Sequence, residues 1–211
     1  MSRPLTENRV ALARWPSVAG VAAALFLAAT APMPAQNDPA AVELMDDLMW
    51  GRTPIGGPFD LIDQNGRRRT DADFRGKLLL LYFGYTYCPD VCPTDLMAIA
   101  AAVDQLGPAG DEIQPLFVTI DPERDTVEQL AGYVGAFHPR LVGLTGATEA
   151  IRKVALAYKV YYAKVPAPDG TDYAIDHTGF IYLVGRDGKY LGFFPPNTPT
   201  ERLVEIVRQH L

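Results

Sequence analysis

The stretch Leu78–Met97, LLLLYFGYTYCPDVCPTDLM, decides the fold and carries most of the chemistry. Its first part, Leu78–Tyr85, is apolar and aromatic, with Lys77 on one side and turn residues on the other. A short, continuously apolar run of this kind fits a strand buried on both faces of a sheet. Cys88 and Cys92, the two cysteines of the chain, follow at once. Pro93 suits the first position of a helix, so the sequence predicts a helix over Thr94–Leu106, with Cys92 near its N-cap and Cys88 in the loop above. Unpaired backbone N–H groups and the helix dipole favour thiolate over thiol there. The stretch therefore proposes a reactive dithiol at a strand-to-helix turn.

Two other readings of the pair remain open. Cysteines of an exported protein commonly form a structural disulfide, although a bridge across so short a loop would restrict the unfolded chain little. Inert buried thiols are the second alternative, and Pro89, Asp90 and Pro93 make the segment more polar than a core. Zinc sites of the paired-cysteine type use shorter spacing and a second ligand pair, which this chain lacks. A peroxidase-type thiol usually has a threonine three residues earlier, where this chain has Tyr85.

Outward from the stretch, the chain reads as one α/β domain. Phe59–Asp63 alternates as a strand, Asn65-Gly66 signals a hairpin turn, and Arg67–Thr70 returns. Gln114–Ile120 is a second buried strand ending at Asp121-Pro122, and Thr126–His138 and Thr148–Tyr158 have helical character. Leu141–Leu144 and Val160–Val165 read as short strands, and Pro166–Thr171 as an exposed loop. Gly179–Val184 and Lys189–Phe194 flank a turn, and Thr200–Leu211 closes as a helix with Thr200 as its cap. This order gives a thioredoxin-like mixed sheet flanked by helices, with an added N-terminal β-hairpin and an inserted helix. In open α/β sheets, sites gather beyond the carboxyl ends of parallel strands, which puts Cys88 and Asp121 at one edge.

The 211 residues divide into a segment 1–35, a linker and short helix over 36–55, and the domain 56–211. Arg3, Arg9 and Arg14 precede an uncharged run, Trp15–Ala31, that reads as an uncleaved membrane anchor or an export signal. Arginines before the span stay in the cytoplasm, so the domain is expected on the extracytoplasmic, periplasmic side, or exported as a soluble protein. Pro32–Pro39 reads as linker and Ala40–Trp50 as a short helix. The formal charge is −6, and residues 1–35 carry +2 of it, which leaves −8 for the remainder. So acidic a domain argues against nucleic acid and suits a metal or protein partner.

Of the three histidines, His210 lies in the last helical turn and His138 at a helix end, and both read as surface or capping residues. His177 stands in a loop just before the strand Phe180–Val184, which in a thioredoxin-like fold lies against the dithiol turn. Two thiolates and an imidazole form a soft donor set suited to Cu(I), Cu(II) or zinc. Asp121 is a candidate to accept a hydrogen bond from His177 and fix its tautomer, or else to cap the turn after its strand. Asp176, directly before His177, is a second candidate for such support.

YCPDVCPTDL, TIDPERDT and DHTGFIYLVGRDGKYLGFF together resemble the Sco/SenC family of copper-binding cytochrome c oxidase assembly proteins, over most of Gly56–Leu211. The resemblance implies that Cys88, Cys92 and His177 are copper ligands and that the cysteines are also a redox-active pair. It implies a partner, cytochrome c oxidase subunit II, whose dinuclear copper site would receive copper or have its cysteines reduced, and a copper donor protein upstream. A general thiol–disulfide oxidoreductase and a redox or copper sensor are the competing expectations; the three-residue spacing and His177 favour the first reading.

Overall fold

A computed structural model describes residues 54–211. The expected anchor, linker and short helix before residue 54 lie outside the described residues. Among the described residues no helix is long and apolar enough to cross a membrane.

The described residues open with a hairpin, β1 (Asp60–Asp63) and β2 (Arg68–Thr70). Its turn closes on the Asp63 carboxylate, which accepts the Asn65 and Arg67 amides, while Gly66 takes the left-handed conformation (φ 74°) that glycine adopts without strain. β3 (Leu78–Gly84) follows, then α1 (Val91–Gln105), β4 (Ile113–Thr119), α2 (Val127–Gly135), β5 (Val142–Thr145) and α3 (Thr148–Ala157). A hairpin of β6 (Tyr162–Pro166) and β7 (Tyr173–His177) comes next, then β8 (Ile181–Val184), β9 (Tyr190–Phe194) and α4 (Thr200–Arg208).

Seven strands form one mixed sheet in the order β2-β1-β5-β4-β3-β8-β9, and β6-β7 forms a separate two-stranded ribbon. β3 is parallel to β4 and antiparallel to β8, so both of its edges are hydrogen-bonded. Every residue of β3 is buried, as its unbroken apolar run requires. Each such Leu or Phe contributes about 1.5–3 kcal/mol by leaving water, which makes β3 the rigid spine of the domain. The thioredoxin-like α/β expectation is correct. β3, β4 and β5 run parallel, and the ends of β3 and β4 deliver Cys88 and Asp121 to the same edge.

Some expectations change. α1 begins at Val91 rather than Thr94, with Asp90 as N-cap, so Cys92 and Pro93 both lie within the first turn. Pro93 fits there because the first N–H groups of a helix have no partner within it. Thr200 is the first residue of α4 and does not cap it; Pro199 stands at the cap without a side-chain bond. β7 is a strand where the sequence suggested loop, and His177 is its last residue. The alternation that would announce β7 is masked because only Ile175 of its five residues is buried. His138 is buried rather than on the surface, with Nδ1 accepting the Arg140 amide. Its place after α2 tucks it under the turn into β5.

Candidate metal centre

β3 ends at Gly84, and the chain turns at once: the Cys88 amide donates to the Tyr85 carbonyl at 3.1 Å. Cys92 then sits against the end of β3, so close to Gly84 that a Cβ built there would lie 2.8 Å from its sulfur. Cys92 is fully buried and Cys88 is 9% exposed, and both are free thiols. From the other side the ribbon brings His177, whose Nε2 is 3.4 Å from Cys92 Sγ. The three candidate ligand atoms all lie within 4.8 Å of one another. Cys88, Cys92 and His177 are thus brought together, His177 lying 85 residues beyond the nearer cysteine, Cys92.

The electrostatics divide the cysteines. The Cys92 thiol hydrogen-bonds Cys88, and against the opposing effect of burial the His177 side chain and then the Asp90 and Cys92 amides at the start of α1 add to it, so the Cys88 thiol falls to about 3. The same shared proton, together with deep burial, pushes Cys92 up. The opposite directions of the two shifts favour the thiolate at Cys88, the more accessible sulfur, and the thiol at Cys92 beneath it. His177 Nδ1 contacts the Thr178 carbonyl at 3.1 Å. In the tautomer that donates an Nδ1 proton to this carbonyl, Nε2 has its lone pair free for a metal held by the sulfurs.

Neither proposed carboxylate supports His177 directly. Asp121 is buried, but it accepts from Arg124 Nε and from the Tyr173 hydroxyl (2.9 Å), and its carbonyl accepts the Arg124 and Asp125 amides. It therefore builds the turn after β4, and the Thr178 carbonyl takes the place expected for it beside the imidazole. Asp176 is exposed and pairs in register with Ala163. Successive strand residues point to opposite faces, so its side chain leaves the ribbon on the side away from His177.

The surroundings include residues that the sequence reading passed over. Tyr85 meets the His177 ring edge-on with centroids 5.9 Å apart, and its hydroxyl accepts the Ile175 amide at 3.2 Å. Tyr82 lies beneath Cys92, where burial raises its phenol. Asp95 is fully buried and accepts the Asn197 amide at 2.8 Å; burial raises its carboxyl. A signal for Asp95 was present, since it shares the helix face of Ile99 and Ala102, a stripe otherwise apolar and buried. Asp125 fastens the dithiol loop: it accepts the Thr86 amide (3.0 Å), the Thr86 hydroxyl and the Thr119 hydroxyl (both 2.6 Å).

Comparison with known proteins agrees with this arrangement. The SCO1/SenC family model matches residues 49–211. The human mitochondrial SCO1 homolog is 44% identical over 163 residues, which cover 76% of this chain and 54% of that protein. The chain thus spans about half the length of that curated relative. The crystal structure of Arabidopsis thaliana ScoI with copper bound superposes with a TM-score of 0.70 at 43% identity, covering 74% of this chain and 97% of that one. BsSco, in which a disulfide switch is described and which is a member of the Sco family of cytochrome c oxidase assembly proteins, gives a TM-score of 0.58 at 26% identity over 74% of this chain and 95% of its own. A match of this extent, carried by the same domain that holds the two thiols and the imidazole, makes the chain a member of the SCO1/SenC family.

Proposed function

We propose that this protein binds one copper ion through Cys88, Cys92 and His177 and acts in the assembly of cytochrome c oxidase. The convergence of two sulfurs and one imidazole nitrogen within 4.8 Å carries the proposal. Thiolates select Cu(I), and imidazole widens the set to Cu(II). Copper bound to the relative from Arabidopsis supports copper over zinc. The acceptor on this reading is the dinuclear copper site of oxidase subunit II, served by metal transfer or by reduction of its cysteines. Both acts start from the Cys88 thiolate: it can hold an ion, or attack an acceptor disulfide to form a mixed disulfide and release one acceptor thiolate. Cys92, losing its proton, then attacks the Cys88 sulfur, closes the Cys88–Cys92 disulfide and releases the second acceptor thiolate, so that the acceptor is reduced as this pair is oxidised. The domain works outside the cytoplasm, tethered by Trp15–Ala31, and takes its copper from a donor protein.

A general thiol–disulfide oxidoreductase remains the second reading, favoured by the low Cys88 thiol. Metal analysis separates the two. The purified chain should hold one copper per molecule, and Cys88→Ser or Cys92→Ser should abolish tight binding, because no other cysteine exists to substitute. His177→Ala should weaken Cu(II) by more than Cu(I), since two thiolates satisfy the cuprous ion. Undiminished copper in either serine variant would sink the assignment, and equal losses of both oxidation states would remove His177 from it.

A further inference from the structure

The three candidate ligands are not held equally. Cys88 and Cys92 hang from β3 and α1, in the core of the domain. His177 ends a two-stranded ribbon that lies outside the main sheet and is largely exposed. Isolated two-stranded ribbons are marginal in water, so the ribbon must be fastened by what it touches. Besides the Tyr85–Ile175 bond, the burial of Ile175 and an exposed Lys164–Glu123 ion pair (2.7 Å), the fastening centres on one side chain. Arg124, in the turn after β4, donates from Nη1 to Asp172 Oδ1 (2.8 Å) and to the Tyr173 carbonyl (2.9 Å), and from Nε to the buried Asp121. Its guanidinium lies 3.7 Å from the Tyr173 ring centroid and 4.8 Å from that of Tyr87, the neighbour of Cys88. Nη2 is buried with no hydrogen-bond partner among the described residues, and the aromatic faces around it supply the compensating attraction. Tyr173 adds a bond from its hydroxyl to Asp121.

We infer that Arg124 is a positioning residue for His177: by clamping the β6–β7 ribbon to the turn after β4 and to Tyr87, it sets the distance of the imidazole from the two sulfurs. The inference deepens the proposed copper site and rests on that reading for its metal measurements. Only a planar fork can bond three acceptors while stacking on a ring, so lysine cannot replace it.

The test uses the full chain carrying Arg124→Lys, Arg124→Gln, or the pair Asp121→Asn/Arg124→Gln, which removes both charges together and guards against a buried carboxylate left alone. Each is made with His177 present and with His177→Ala. In copper-free protein, amide exchange over Tyr173–His177 should quicken about tenfold or more while β3 and β4 stay protected. Cu(II) affinity should fall about 10–100-fold, the usual effect of removing a support of a metal-bound histidine. Cu(I) should change by less than about threefold, because the thiolates suffice. In the His177→Ala background the Arg124 variants should cause no further Cu(II) loss. Unchanged ribbon exchange, or a Cu(II) loss that persists undiminished without His177, would overturn the inference. Should the wild type hold no copper, the copper reading fails, and exchange alone decides: a ribbon as protected in the variants as in the wild type refutes the clamp, and a loosened one upholds it.

Discussion

Gly84→Ala tests how the core positions the site. Gly84 is the last residue of the buried strand β3. An added Cβ would lie 2.8 Å from Cys92 Sγ, 3.0 Å from Phe117 Cε2 and 3.1 Å from Tyr82 Cε1. Favourable contact needs about 3.5–4.0 Å, so Cys92 would have to retreat by roughly 0.7 Å or more. None of the three neighbours has room to yield, since all are fully buried. Overpacking of this kind costs about 1–3 kcal/mol. For a domain of this size each kcal/mol lowers Tm by about 2–4 °C, which predicts a fall of about 2–12 °C. Displacing one sulfur should also weaken Cu(I), read by competition with a chelator of known affinity. Gly132→Ala is the control: it sits in α2 with nothing within 4 Å of the new carbon, and it should be neutral or slightly stabilising. A Gly84→Ala protein that melts and binds Cu(I) like the wild type would refute the close-packing argument.

Three further outcomes are expected. In reduced, metal-free protein, iodoacetamide should modify Cys88 before Cys92, at a rate nearly flat from pH 8 to pH 5, because the Cys88 thiol lies at about 3; a rate falling tenfold per pH unit below 8 would show an ordinary thiol. The unfolded thiol keeps its proton up to 9.0, so this group adds stability as pH rises from about 3 to 9, and denaturation midpoints of the wild type and Cys88→Ser should converge as pH falls through that window. Asp121→Asn should destabilise the domain by about 2–4 kcal/mol, because Arg124 loses its buried carboxylate and the exposed Asp172 is left as its one charged partner; an unchanged Tm with weakened Cu(II) would restore the direct support of His177 by Asp121.

The frame of the domain was legible because its signals are local. The run Leu78–Tyr85 admits no solvent-facing side, and Asn65-Gly66 closes a hairpin by itself. What the sequence obscured was the ribbon. Tyr173–His177 has one buried residue and a strongly polar neighbour at each end, so it looks like a loop, and its strand character comes from pairing with Tyr162–Pro166. Helix α1 gained its first turn for a related reason: Pro93 is read as a start signal, yet proline is tolerated anywhere among the first N–H groups, which need no acceptor.

The candidate site shows the same division between local chemistry and partners chosen by the fold. Cysteines and a histidine are conspicuous by type, and topology alone predicts that the turn after β3 and the segment before β8 meet. The choice of partner for a carboxylate depends on a few ångströms and on which competitor arrives with more donors. Asp121 could serve His177 or its own turn. Arg124, three residues on, offers a charged guanidinium, and Tyr173 a hydroxyl, whereas a neutral imidazole offers one N–H. In a buried setting the carboxylate goes to the cation, and the imidazole takes the carbonyl that its own backbone supplies at Thr178. That outcome was written in TIDPERDT, since an aspartate three residues before an arginine within one tight turn favours the local ion pair over a distant histidine.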